Sequence, residues 1–195
     1  GAAFSQRQIG RLRYVCSNAV TGPVIEASYR RFLAAFEDHL RHAPYLMGAR
    51  PGSCDFAVFG QLTQLAEFDP TPAALTLAVA PRVTAWVGMM EDLSGLEPAD
   101  ADWISMDRVP ETLTALLAEI GRVYPPVMLA NAAAVTAGAT EVTAQVDGQV
   151  WTQQPFAYQA KCLRWLRQAR ADLPGQARGQ VDAILGPAGL SGLFA

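Results

Sequence analysis

Residues 56–66 read Phe-Ala-Val-Phe-Gly-Gln-Leu-Thr-Gln-Leu-Ala, a run without one charged side chain, held between Asp55 and Glu67. Phe59, Leu62, Leu65 and Ala66 recur with helical rather than alternating spacing. A charge-free helix of this kind is expected to be buried on most of its sides, which requires other helices packed around it. Gly60 costs roughly 1 kcal/mol in a helix interior relative to alanine, so its presence predicts a second backbone passing close by. A helix that starts in a core also leaves four N–H donors without partners. A carboxylate in the first turn can accept from such donors and meets the positive end of the helix dipole. Asp55 stands in that place.

The rest of the chain supplies the surrounding helices. Ile25, Tyr29, Phe32, Leu33, Phe36 and Leu40 form the stripe of an amphipathic helix over 22–42, with Thr21 or Gly22 as cap and Pro23 in the first turn. Its polar face is expected to carry Arg30, Arg31, Glu37, Asp38 and Arg41. A shorter helix over about 4–16 is predicted before it, stopped by Ser17-Asn18. After it come a short helix near 72–79 and one that opens at Pro81 and carries Val83, Trp86, Val87, Met90 and Leu93. Further helices are expected from Pro110-Glu111, from Pro125 or Pro126 to Ala137 with Gly138 as stop, over 155–173 with Phe156, Ala160, Leu163, Leu166 and Ala169 inward, and around Val181, Ile184 and Leu185.

One stretch breaks the helical pattern. The segments 141–146 and 149–153 alternate in polarity around Asp147-Gly148, two residues that tolerate φ > 0, and so predict a β-hairpin over 141–153. Pairing Val146 with Gln149 puts Ala144 opposite Trp151 and Val142 opposite Gln153. Two strands alone are marginal in water, so Trp151 is expected to lie against helices. Between 91 and 119 there are eight acidic residues and one arginine, −8 + 1 = −7, which marks the expected seam. The fold class is therefore mainly α. A helical core occupies 1–95, and a helical extension with the hairpin occupies 96–195, packed on the core.

The run Tyr45-Leu-Met-Gly-Ala-Arg-Pro51-Gly-Ser-Cys-Asp55-Phe-Ala-Val-Phe-Gly-Gln-Leu62 resembles the C-terminal all-helical domain of glutathione S-transferases, as does Pro81-Arg-Val-Thr-Ala-Trp86-Val-Gly-Met-Met90 further on. In that family an apolar-Gly segment leads into a capping motif whose aspartate opens the central helix. This chain has Gly52 where the family usually has Ser or Thr, which leaves half of the capping box missing or supplied by Ser53. The resemblance covers about residues 4–95 and implies a bundle of the glutathione S-transferase C-terminal type with Asp55 as its structural marker. It also implies that the first helix, with Arg7, Arg11 and Tyr14, forms one wall of a pocket for a small electrophile. Glutathione would be the co-substrate only in a full-length protein, bound by an N-terminal thioredoxin-like domain of which this chain has no pattern; the chain alone would be inactive. A homodimer beside the first two helices and a cytoplasmic location are further implications. The alternative is a non-catalytic helical interaction module.

Other chemistries find little footing. The hydrophobic share of 51% against 17% charged residues excludes a disordered chain. No membrane span is expected, because the apolar stretches 56–66 and 124–140 are shorter than about 20 residues or interrupted by Pro125, Pro126 and Asn131. Cys16, Cys54 and Cys162 make neither a disulfide framework nor a CxxC zinc site. His39 and His42 are expected at the surface near a helix C-terminus, and Asp100, Asp102 and Asp107 in a solvated loop, so no metal is expected. Cys54 is expected to pack as a small apolar residue. Lys161, Arg164, Arg167 and Arg170 make a basic strip with Trp165, expected to pair with the acidic 91–119 region rather than to bind nucleic acid. There is no GxSxG elbow, hence no hydrolase triad. The opening Gly1-Ala2-Ala3 is expected to be that of a fragment.

Overall fold

The computed structural model describes residues 1–195, apart from the side chains of residues 13 and 15. Eight α-helices and one hairpin follow in order: α1 (Ala2–Arg11), α2 (Thr21–His39), α3 (Ser53–Leu62), α4 (Pro70–Val79), α5 (Pro81–Glu91), α6 (Glu111–Ala137), β1 (Val142–Val146), β2 (Gln149–Gln153), α7 (Ala157–Ala171) and α8 (Gly175–Leu185). The mainly helical fold with one hairpin, expected from the apolar spacing, is what forms. Two compact units interleave along the chain: residues 1–29 with 117–195, and residues 30–116. The division falls inside α2 and α6.

In the unit of residues 30–116 the core is built from Leu33 and Phe36 of α2, Leu62 of α3 and Val83, Trp86, Val87 and Met90 of α5. The Phe36 and Trp86 rings meet edge to face at 5.0 Å, and the Trp86 indole N–H donates to Pro44 O at 3.0 Å. Two residues assigned to the surface by their polarity are buried here. His39 is fully enclosed, with Nε2 3.1 Å from Tyr45 O and Nδ1 3.0 Å from Thr112 Oγ1. A carbonyl can only accept, so Nε2 carries a proton and donates to it. Glu37 is buried as well. Its Oε2 accepts from Arg82 N at 2.8 Å and its Oε1 from Arg82 Nη1 at 2.8 Å, so a carboxylate of α2 satisfies the first turn of α5.

Segment 56–66 departs from expectation. It is α-helical to Leu62 and continues as a π-helical turn over Thr63–Phe68. Only Leu62 and Ala66 of the charge-free run are buried; Phe56, Ala57, Gly60, Gln61 and Gln64 are exposed. No atom would lie within 4 Å of a Cβ at Gly60, so no backbone passes there. Lack of charge does not require burial; it also describes a helix with an uncovered apolar side. Close approach occurs at two other glycines. A Cβ at Gly48, where φ is +133°, would stand 2.1 Å from Asp102 O, and one at Gly121 would stand 1.7 Å from Ala188 O.

In the unit of residues 1–29 and 117–195 the hairpin has the expected register, with Val146 opposite Gln149, Ala144 opposite Trp151 and Val142 opposite Gln153. Asp147 and Gly148 turn it with φ of 50° and 74°, and Arg122 pairs with Asp147 at the turn. Val142, Ala144 and Val146 face inward. Ala144, Val146 and Trp151 pack with Val24, Val123, Val127 and Ala130. A second cluster joins Met128, Leu163, Ala188, Leu190 and Leu193.

The two helices expected before and after Pro125 are one helix, α6, because Pro125 is buried and Met128, Asn131 and Ala134 continue the buried side; Gly138 then ends it with φ +63°. At 27 residues α6 is long and apolar enough to cross a membrane, a pattern that the core helix of a soluble fold shares. On α7 the inward side is narrower than expected. Ala160 and Leu163 are buried, but Phe156, Leu166 and Ala169 are exposed. Within its own unit the basic strip is tied to the C-terminal segment: Arg167 Nε donates to Leu193 O at 2.7 Å, and Arg170 makes a two-pronged pair with Asp182 at 2.6 Å.

These contacts give two predictions. Gly60→Ala raises stability by about 1 kcal/mol, the helix-propensity gain with nothing to collide with, whereas Gly121→Ala lowers the melting temperature despite the same propensity gain; thermal unfolding by circular dichroism compares the pair. Hydrogen bonds from Arg170 hold the Asp182 carboxyl below the ordinary aspartate range. Its contribution to stability is therefore present above that range and is lost as pH falls through the depressed folded-state value. The melting-temperature gap between wild type and Asp182→Asn should accordingly close on acidification.

Candidate functional site

Two places concentrate polar chemistry. The first is the start of α3. Asp55 is fully buried; its Oδ1 accepts from Leu46 N at 2.8 Å and its Oδ2 from Gly52 N at 2.8 Å. Gly52 is the N-cap and has no side chain to return the bond, so the box is closed from the aspartate side alone, with no help from Ser53. The reason for glycine lies in the loop that follows α5. The Trp103 ring sits 3.3 Å from where a Cβ on Gly52 would be, and the Arg50 guanidinium stacks over the Trp103 ring at 4.5 Å. The same loop bonds back through Ala49 N to Asp102 O and Ile104 N to Met47 O, both at 2.8 Å. Cys54 Sγ lies 3.7 Å from Asp55 Oδ2, and burial together with the Asp55 charge pushes its thiol pKa up. It is partly buried, in keeping with a packing cysteine.

The second place is a cleft of about 560 Å³ in the unit of residues 1–29 and 117–195, between the first helix with its turn and the open end of the hairpin. Ile9 and Leu12 give it apolar surface, Cys16 and Gln153 sit in it, and Glu141 and Gln154 stand on the hairpin side. Cys16 ends the 3-10 turn Leu12–Val15 in the left-handed region, φ 58°, a conformation that few non-glycine residues adopt. Its carbonyl accepts from the Thr21 hydroxyl. Its thiol donates to Gln153 Oε1 at 3.2 Å, and burial raises the thiol pKa in spite of the nearby Trp151 N–H. Gln153 is in turn held on every side: Trp151 Nε1 donates to its Oε1 at 3.1 Å, and its Nε2 donates to Gln159 Oε1 at 3.0 Å and to Asn131 Oδ1 at 3.5 Å. Fully buried Asn131 clamps the backbone of Phe156 by accepting from its N at 2.7 Å and donating to its O at 2.9 Å.

Of the residues assigned to an electrophile wall, Arg7 and Arg11 are exposed on α1, Arg7 over the Phe4 ring at 5.2 Å, and Tyr14 is exposed in the following turn. They neighbour the cleft in sequence without lining it. Cys16, Glu141 and Gln153 carried no sequence signal beyond the turn after Cys16 and the hairpin alternation. Among the described residues no group of three or more His, Cys, Asp or Glu side chains is placed to hold a metal ion.

Removing the α3 carboxylate leaves two buried N–H groups without an acceptor. Asp55→Ala is predicted to cost about 2–6 kcal/mol, at 1–3 kcal/mol for each of the two orphaned donors. Urea unfolding monitored by circular dichroism measures it, and a loss within 0.5 kcal/mol, the range of ordinary surface changes, would contradict the role assigned to the side chain.

Residues 8–88 match the family model described as glutathione S-transferase, C-terminal domain. No curated protein and no solved structure matches the chain. The match contains Asp55, its Gly52 cap and the α3 to α5 helices built around them. Over residues 8–88 the chain is similar to the C-terminal domain of the glutathione S-transferases.

Proposed function

We propose that this domain is the electrophile-side half of a glutathione S-transferase-like protein, which contributes to conjugation only together with a thioredoxin-like domain that binds glutathione. The family match with its buried Asp55 cap is the observation that carries the reading. In such a protein the reaction needs a thiolate delivered next to an electrophile; its pKa must be lowered by a hydrogen-bond donor or a positive dipole end. Among the described residues each thiol or phenol with a resolved shift moves the other way. Cys16, Cys54, Tyr45 and Tyr124 are all raised, chiefly by burial. These groups suit holding and walling more than activating, which supports a division of labour in which the thiol is activated elsewhere. A homodimer and a cytoplasmic setting belong to the same proposal.

A non-catalytic interaction module is the second reading, favoured by the exposed Phe56, Phe68 and Leu77 of the α3 and α4 segments, at 53%, 80% and 62%. The two readings separate in one assay. With glutathione and 1-chloro-2,4-dinitrobenzene the chain alone should give only the uncatalysed rate, and the same chain joined to a thioredoxin-like domain encoded upstream should turn over. Robust conjugation by the chain alone would defeat the first reading; a start codon next to Ala2, with no strand-helix-strand pattern before it, would favour the second.

A further inference from the structure

The cleft beside the first helix is built from two kinds of wall. One is the apolar end of the family domain, Ile9 and Leu12; the other is the open end of the hairpin, which lies outside the matched residues 8–88. Its volume, about 560 Å³, is of the size that takes a small organic ligand; its lining is mostly polar, with Ile9 and Leu12 as its large apolar side chains. The polar groups are held before any ligand arrives. Gln153 uses both lone-pair directions of its oxygen, toward Cys16 and Trp151, and both N–H groups, toward Gln159 and Asn131. A side chain with its whole capacity used cannot swing, so the back of the cleft is rigid.

The charge of the lining decides what enters. Among the described residues Glu141 is the one ionisable carboxylate that lines the cleft, and none of the Lys, Arg or His side chains described lines it. Glu141 is exposed, so its charge is available to a ligand at the mouth. Cys16 adds a thiol whose proton is committed to Gln153. It also sits in a left-handed backbone conformation, the kind of strain that persists where the surroundings require it. We infer that this cleft is a binding site for a small cationic aryl compound, the ring against Ile9 and Leu12 and the cation toward Glu141, with the hairpin as the specificity-determining wall. The site is one of recognition: nothing in it forms or breaks a covalent bond with the ligand.

The inference does not depend on the conjugation reading, because binding is measured without glutathione or turnover. Benzamidine, benzamide and benzoate share one ring and differ in charge, and the thiol of Cys16 reports occupancy through its rate of alkylation by N-ethylmaleimide, followed residue by residue by mass spectrometry. Benzamidine is expected to slow alkylation of Cys16 at lower concentration than benzamide. Benzoate should have no effect, and Cys54 and Cys162 should be unchanged. Glu141→Gln, a substitution at an exposed position, should erase the preference for benzamidine over benzamide, a change of about threefold to fivefold for one partly exposed charge pair. Protection by benzoate equal to that by benzamidine, no protection of Cys16 by any of the three, or an unchanged preference in Glu141→Gln would each overturn the assignment.

Discussion

A carboxylate with no solvent exposure and two backbone N–H groups at 2.8 Å is the interaction on which the unit of residues 30–116 depends. A buried charge is tolerable only when it is fully engaged, and Asp55 is engaged by a donor from the approaching loop, a donor from the cap, and the positive end of α3. It therefore fixes three things together: where α3 begins, how residues 46–52 approach it, and the tight crossing at Gly48 that lets Asp102 O come within bonding distance of Ala49 N. Glu37 repeats the device one layer away, lending α5 a carboxylate that belongs to α2. Both helix starts rely on an acid, α3 on Asp55 of its own first turn and α5 on Glu37 of α2, and neither has a hydroxyl cap. Removing either acid would leave donors with nothing nearby to replace it.

Local periodicity was enough to read the elements and the hairpin. The stripe of Val83, Trp86, Val87 and Met90 is fully buried, and Asp147-Gly148 turns the chain in the register that their φ tolerance requires. Asp55 was legible because the need it meets, the orphaned donors at a helix start, is itself local. What escaped was set by partners distant in sequence. Glu37 and His39 read as surface residues of an amphipathic helix, and only Arg82, forty-five residues on, and Thr112, seventy-three residues on, make their burial affordable in physical terms. Gly60 read as a close approach, but the close approaches fell at Gly48 and Gly121, whose neighbours come from loops with no periodicity to announce them. The cleft combines residues 9–18 with residues 140–154, which no single-segment reading joins.

The glycine at the cap shows how a departure from a family habit can be structural. Ser or Thr at position 52 would add the reciprocal half of the capping box, worth up to about 1 kcal/mol, although glycine gives up only a few tenths. Against that stands a Trp103 ring 3.3 Å from the missing Cβ, held by Arg50 above it. Covering the cap with an indole shields the Asp55 bonds from competing water, which strengthens them more than a hydroxyl would, since charge-assisted bonds gain as the local dielectric falls.

The same reasoning about protons constrains what the cleft can do. Cys16 donates its proton to an amide oxygen, and a thiolate there would set a negative sulfur against the lone pairs of Gln153 Oε1. Ionising Cys16 would thus remove one of the four bonds on Gln153, while Trp151, Gln159 and Asn131 still hold that side chain. Burial, not the Asn131, Gln153 and Gln159 network, raises the Cys16 thiol pKa, and a thiol so disposed is a poor source of the thiolate that conjugation needs.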